Sequence, residues 1–225
     1  RAKVTGFEDK TTKGRRPNGI YIPRFRNLGG ETNTDKFKRG YGYQGGASRT
    51  SLSELVAEVK YGPELKEAIL KPGEWYVGLT AFGETLPDHN NKMSLDYEKL
   101  DEWGLPTVTF DADFGENELA MRKDMQEQAV RMLTAAGYED VRGYDNTQGR
   151  AMGLGIHEMG TARMGRDPKT SVLNKHNQIH ACTNVYVTDG AFMTSAACHN
   201  PSLGYMAFTA RAANHAAEQL KKTNA

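Results

Sequence analysis

The C-terminal third of the chain constrains its fold more than any other part. It places a Gly-Thr turn after His157, a β-branched run that ends in Asp189-Gly190, and an Ala-rich apolar stretch that begins at an Asn-Pro-Ser triplet. Proline is favoured in the first turn of a helix, because its missing N–H would have no intrahelical partner there. The order predicts a short buried strand over 185–188, a connecting loop, and a long helix over 201–221.

The rest of the sequence predicts strands mixed with helices. The first 50 residues are polar and rich in Gly, Lys and Arg. The glycines at 40–46 are interpreted as a Gly-rich loop, although these residues overlap a strand predicted over 38–44. A second loop is predicted over 83–95, which carries Pro, Asp and two Asn. The predicted strands are 19–25, 38–44, 74–82 and 107–114. The predicted helices are one that begins with a capping box at 51–54 and ends at 62–63, a short helix over 64–70, and a longer helix over 116–136.

Composition narrows the class of partner. With 225 residues, 38% of them hydrophobic, the chain can bury a core as one large or two small domains. The 29 basic and 28 acidic residues leave a formal charge of +1, which gives no argument for nucleic acid or an anionic membrane. No apolar run approaches the roughly 18–20 residues of a membrane span, and no set of His, Asp, Glu or Cys has a metal-ligand spacing.

Two polar residues of the C-terminal third are candidates for proton transfer and for stabilising a developing negative charge. His157 offers an imidazole, the side chain best suited to accept a proton near neutral pH. Asn200 offers an uncharged donor that could hold the substrate oxygen while charge develops on it. Each also has a plain structural interpretation, since a histidine beside glycines is often only a hydrogen-bonding residue, and asparagine before proline is a common helix N-cap.

Three motifs in fixed order carry a resemblance to a known family. The turn at 157–165 reads His-Glu-Met-Gly-Thr-Ala-Arg-Met-Gly, the strand end at 183–191 reads Thr-Asn-Val-Tyr-Val-Thr-Asp-Gly-Ala, and Asn200-Pro-Ser202 lies 43 residues after His157. This series resembles the C-terminal part of the glucose–methanol–choline (GMC) family of FAD-dependent alcohol oxidoreductases. It is most similar to bacterial sugar and gluconate dehydrogenase large subunits. Residues 155–215 carry most of the likeness, and 83–93 a weaker part.

The resemblance implies a role for each motif. His157 would be the catalytic base and Asn200 its partner at the flavin ring, and His199 is a candidate substrate contact. The implied cofactor is FAD, and the implied contacts to it are Asp189, Gly190, Asn200, Pro201 and Ser202. The first turn of the predicted helix would face the flavin pyrimidine edge, where free N–H groups and the helix dipole suit the anionic reduced ring.

The Gly-x-Gly-x-x-Gly motif that binds the ADP half of FAD is not found in this sequence. The resemblance therefore implies an N-terminal Rossmann-type FAD-binding region or chain as a partner, besides a small sugar or alcohol substrate and an electron acceptor of unknown identity. The chain begins without methionine, from which we expect a processed or truncated start. The compartment, bacterial periplasm or cytoplasm, is not decided.

The predicted fold is α/β (α+β). Residues 1–150 would form a substrate-binding domain around a mixed, largely antiparallel sheet, and residues 151–225 a strand and helix that complete the FAD-binding domain. The expected function is FAD-dependent oxidation of an alcohol group of a sugar, polyol or sugar acid. The alternatives are a GMC oxidase acting on another small alcohol or a sterol, and an inactive flavin-free fragment that acts only as a binding or structural domain.

Overall fold

The computed structural model describes residues 1–4, 19–49, 62–70, 74–145 and 152–223. Contacts divide the chain into two compact units, each built from two stretches of sequence. Unit 1 comprises Arg1–Gly83 and Gly115–Gln148, and unit 2 comprises Glu84–Phe114 and Gly149–Ala225. The predicted assignment of 1–150 and 151–225 to substrate and flavin domains stays a prediction.

Unit 1 is a four-stranded antiparallel sheet with helices. Its strands are β1 (Ala2–Val4), β2 (Ile20–Ile22), β3 (Tyr41–Arg49) and β4 (Trp75–Gly83), and its helices are α1 (Pro63–Leu70) and α2 (Glu116–Ala135). The spatial order is β1-β4-β3-β2, so the two nine-residue strands lie at the centre. The core lies where α2 packs on the sheet, and its buried members are Ala2, Phe37, Tyr41, Tyr43, Val77, Leu79, Met121 and Leu133.

A partly buried ion pair ties α2 to the segment after β2. The Arg26 guanidinium donates to both carboxylate oxygens of Asp124, at 2.8 Å each, and the Tyr41 hydroxyl donates to the same carboxylate. Burial, followed by the hydrogen bond to Asp124, raises the pKa of Tyr41 far above its ordinary value. The phenol therefore stays a neutral donor, and the carboxylate has partners for its buried charge.

The described residues of unit 2 form two hairpins and a 22-residue helix. Strands β5 (Lys92–Leu100) and β6 (Pro106–Asp111) form one hairpin, and β7 (Gln178–Ile179) and β8 (Cys182–Tyr186) form the other. The C-terminal helix α3 runs over Ser202–Thr223. Among helices in the described ranges, none combines the length and the apolarity needed to cross a bilayer.

The observed mixture of helices and antiparallel strands confirms the predicted fold class. Three predicted helices and four predicted strands are present with shifted ends. The helices are those predicted at 64–70, 116–136 and 201–221, and the strands those predicted at 19–25, 38–44, 74–82 and 107–114. The helix predicted to open at 51–54 lies outside the described residues.

Three local predictions are wrong. Residues 40–46 are not a loop but belong mostly to central strand β3, where glycine is needed because a Cβ on Gly45 would lie 2.3 Å from the carbonyl oxygen of Gly78. The loop predicted over 83–95 ends early, because β5 begins at Lys92. The strand predicted as buried over 185–188 is β8, which ends at Tyr186 and is largely exposed, since its partner is only the two-residue β7.

Candidate active site

The segment that follows His157 pairs with the turn that follows Asp189. The amide of Ala162 donates to the carbonyl of Ala191 at 3.0 Å, and the amide of Met164 donates to that of Phe192 at 3.0 Å. Residues Gly190–Phe192 form a single 3₁₀ turn. Its start is fixed by Asp189, whose carboxylate accepts from the amide of Ala191 at 2.9 Å. The predicted Asp-Gly motif is therefore a capped turn that holds the histidine-bearing segment.

Phe192 anchors the first turns of α3 to the same turn. It has no exposed surface, and its ring lies 6.3 Å from the Tyr205 ring in an edge-on geometry and 5.0 Å from that of Phe208. The Tyr205 hydroxyl also lies 3.8 Å from the sulfur of Met159. The residues next to His157, the Asp189 turn and the beginning of α3 thus form one packed cluster.

Gly190 is required by the closeness of this packing. A Cβ atom at this position would lie 2.7 Å from the Tyr205 hydroxyl oxygen and 2.8 Å from the main-chain oxygen of Glu158. Both distances are below those found between real Cβ atoms and their neighbours. The absence of a side chain therefore lets the histidine-bearing segment and α3 approach the turn together.

The turn that carries His157 has an unusual backbone. Ile156 has φ of 68°, in the left-handed region that is uncommon for a β-branched residue, and Gly160 has φ of 92°. The carboxylate of Glu158 accepts from the amides of Gly155 at 2.6 Å and Ile156 at 3.1 Å. His157 itself is half-buried between these positions.

The approach to Asn200 is strained in the same way. Ala197 has φ of 49° and Cys198 of 63°, two consecutive non-glycine residues in the left-handed region. Cys198 is buried, whereas His199 and Asn200 are exposed, and buried Pro201 leads into α3. Left-handed non-glycine residues cost about 1–3 kcal/mol each and tend to cluster at functional sites.

Two carboxylates act on the Tyr205 hydroxyl. Burial raises the pKa of Tyr205, and the negative charges of Asp189 and Glu158 raise it further. The phenol is therefore held as a neutral donor close to both acidic groups. Within the described part of the chain, no group of three His, Cys, Asp or Glu side chains is arranged to hold a metal ion.

Asp189 and Gly190 belong to this cluster, whereas His199 and Asn200 lie in the exposed segment immediately before α3. Gly190 lies inside the cluster, Asp189 caps its turn, and the segment bearing His157 and the start of α3 are two of its parts. The catalytic, cofactor and substrate roles of these residues stay predictions. Sequence reasoning missed Glu158, Phe192 and Tyr205. The one signal for Glu158 was a carboxylate three residues after a glycine in a turn.

Comparison with known proteins defines the class to which this site belongs. A family model described as GMC oxidoreductase matches residues 87–209, more than half of the chain. The chain therefore belongs to the GMC oxidoreductase family, and its relatives include dehydrogenases and oxidases of sugars and other alcohols.

Three relatives illustrate the range. The chain is 34% identical to 2-methyl-1,2-propanediol dehydrogenase of Mycolicibacterium austroafricanum, over 60% of this chain and 24% of that protein. It is 28% identical to the fructose dehydrogenase large subunit of Gluconobacter japonicus, over 81% of this chain and 32% of that protein. It is 25% identical to the gluconate 2-dehydrogenase flavoprotein of Pantoea cypripedii, over 84% of this chain and 33% of that protein. The chain spans a quarter to a third of these relatives.

Proposed function

We propose that this chain supplies the proton-transfer residues of an FAD-dependent enzyme that oxidises an alcohol group of a sugar, polyol or sugar acid. The observation that carries the proposal is the packed cluster of the His157 segment, the Asp189 turn and the start of α3, in a chain of the GMC family. Bound FAD would supply the acceptor for the hydride.

The residues of the chain divide the remaining chemistry. His157 takes the hydroxyl proton of the substrate at an imidazole nitrogen, which leaves the developing alkoxide able to release hydride. Asn200 donates its amide N–H to that oxygen and so stabilises the charge. His199, exposed beside Asn200, is proposed to contact another part of the substrate.

The start of α3 fits a flavin ring. The amide of Tyr205 makes the first bond of the helix, to the carbonyl of Pro201 at 3.0 Å. Donors in a first helical turn have no intrahelical acceptor, and Ser202 and Leu203, which contribute them, are exposed. Such donors and the positive end of the helix dipole suit the anionic edge of a reduced flavin. Asp189, Gly190, Asn200, Pro201 and Ser202 would hold the cofactor.

The substrate class and the partner are inferred from the relatives. Their names include a fructose dehydrogenase, a gluconate 2-dehydrogenase and a propanediol dehydrogenase, which supports a polyhydroxylated substrate and favours a dehydrogenase. Since the chain spans a quarter to a third of those relatives, we propose that a Rossmann-type FAD-binding region or chain completes the enzyme.

The test is to assemble the chain with an N-terminal Rossmann-type half of a GMC enzyme and to measure flavin reduction in stopped flow. Flavin absorbance that stays with the purified assembly supports the cofactor assignment, and its absence supports a non-catalytic fragment. A panel of sugars, polyols and sugar acids, with oxygen or an artificial acceptor, then separates dehydrogenase from oxidase.

Two variants test the assigned roles. We expect His157→Ala to slow flavin reduction by about 10²–10⁴-fold with flavin retained, since this is the usual contribution of a general base. Asn200→Ala should slow it less, because the amide polarises the oxygen without taking the proton. The matched control is His89→Ala, which removes an exposed loop imidazole of the same unit. Full activity in His157→Ala contradicts the base assignment.

A further inference from the structure

We propose that Glu158 is the positioning residue of the active site, setting where the imidazole of His157 lies by clamping the turn that carries it. The inference rests on the proposed function of His157 and concerns a residue that the sequence motif leaves without a role.

The side chain of Glu158 is committed to its own turn. One carboxylate oxygen, Oε1, accepts from two consecutive amides, those of Gly155 at 2.6 Å and Ile156 at 3.1 Å. A charged acceptor strengthens both bonds relative to a neutral one. The two amides immediately precede His157, so the carboxylate fixes the backbone from which the imidazole projects.

The conformation of Ile156 makes these bonds necessary. Its φ of 68° is unfavourable for a β-branched residue. The residue is 87% exposed, so burial of the isoleucine cannot compensate for that strain. One hydrogen bond to Glu158 comes from the amide of Ile156 itself and the other from the amide just before it, so both stabilise the backbone at this position.

The main chain of Glu158 is fixed at the opposite end. Its carbonyl oxygen lies so close to Gly190 that a Cβ there would approach it to 2.8 Å, and the next residue, Met159, contacts the Tyr205 hydroxyl. His157 therefore lies between a backbone pinned by the Glu158 carboxylate and a backbone packed on the Gly190 turn. Loss of the carboxylate would release only the first of these two constraints.

The inference predicts a separation of kcat from KM. Glu158→Ala should lower the limiting rate of flavin reduction by about 10–100-fold, because a displaced base loses the geometry of proton transfer. Substrate affinity and bound flavin should change much less, because the proposed contacts to both come from the Asp189 turn and the residues around the start of α3. Glu158→Gln keeps an acceptor oxygen at the same reach and should recover to within about threefold of wild type. The control Glu102→Ala removes another exposed carboxylate of the same unit.

A second readout does not need the flavin. In the 225-residue chain, the amides of Gly155 and Ile156 should exchange with solvent at least about tenfold faster in Glu158→Ala than in wild type, because their acceptor is gone. Glu158→Gln should stay close to wild type, and amides of β8 should not change.

The outcomes separate this inference from the proposed function. If His157→Ala keeps full activity, the proposed function fails whatever Glu158 does. If His157→Ala is slow but Glu158→Ala reduces flavin at the wild-type rate, only the positioning role is overturned. Should Glu158→Ala fail to accumulate as folded protein, Glu158→Asp decides, because its carboxylate is one methylene too short for both amides. A wild-type rate in Glu158→Asp overturns the inference, and a slow rate with retained flavin supports it.

Discussion

Replacing Gly190 by alanine tests the packing at the centre of the candidate site. The added Cβ atom would lie 2.7 Å from the Tyr205 hydroxyl oxygen and 2.8 Å from the main-chain oxygen of Glu158. Ordinary van der Waals contact begins at 3.4 Å, so the two oxygens would have to retreat by about 0.6–0.7 Å. The φ of Gly190 is not in the left-handed region, so the cost comes from these contacts alone.

We expect Gly190→Ala to destabilise the chain by about 1–3 kcal/mol, the usual cost of overpacking a well-packed region. The phenol can move at the expense of its contact with Phe192, but the Glu158 oxygen belongs to the backbone next to His157. In the flavin-loaded assembly the variant should therefore also slow flavin reduction, since small displacements of a catalytic group cost up to about 10²-fold.

Urea-induced unfolding measures the first effect, with Gly204→Ala as the matched control. A Cβ on Gly204, within α3, would meet the Met193 side chain at 3.8 Å, an ordinary contact. Alanine is favoured over glycine in a helix by about 0.5–1 kcal/mol, so this control should be neutral or stabilising. In a Tyr205→Phe background one of the two close oxygens is removed, and the cost of Gly190→Ala should fall by about 0.5–1.5 kcal/mol. A Gly190→Ala chain as stable as wild type would refute the reasoning.

Two further predictions concern stability away from the site. Asp124→Asn should lower the free energy of unfolding in urea by about 3–5 kcal/mol, because it leaves the Arg26 guanidinium, only 16% exposed, without its charged partner. The control Glu127→Gln changes an exposed residue of the same helix and should have little effect. Equal stabilities of the two variants would contradict the importance of the ion pair. Burial lowers the pKa of His176, helped by the charge of His215, whose ring stacks on it at 3.8 Å, and by those of Lys175 and Arg211. The unfolded chain therefore binds this proton at higher pH than the folded chain, so stability should fall as pH drops below about 6.5 through the lowered value. The melting temperature of His176→Gln should depend less on pH in that range, and an unchanged dependence would exclude His176 as its source.

The sequence was sufficient for the elements whose information is local. The helix α2 follows from side-chain periodicity and from the glycine after its end, β4 from its content of β-favouring residues, and α3 from the proline that precedes it. The glycines of β3 led to a wrong loop prediction. Glycine is needed at position 45 because of the close approach of Gly78, a residue 33 positions away in the sequence. The start of β5 was missed for a related reason, since the Asn-rich turn before it resembles a longer loop.

In the candidate site, too, the local motifs could be predicted from the sequence and the long-range contacts could not. The motifs pointed to the histidine, the Asp-Gly turn and the helix start, each of which is a short run of adjacent residues. The contact of Gly190 with Tyr205 and with the carbonyl of Glu158 joins three separate parts of the chain, and no local pattern reports it. The hydrogen bond from Ile156 to Glu158 forms at a left-handed backbone, which the sequence does not predict because β-branched residues rarely adopt it.

The interleaving of the two units has a consequence for how this polypeptide can be dissected and made. Because each unit draws on two separated stretches, a single proteolytic cut or cloning boundary near residue 150 would leave the β5–β6 hairpin on the wrong fragment. During synthesis from the N-terminus, unit 1 could close once residue 148 has emerged, whereas the hairpin of unit 2 must wait for the last helix. Excision of the C-terminal unit would require a transplanted hairpin and a new linker rather than simple truncation.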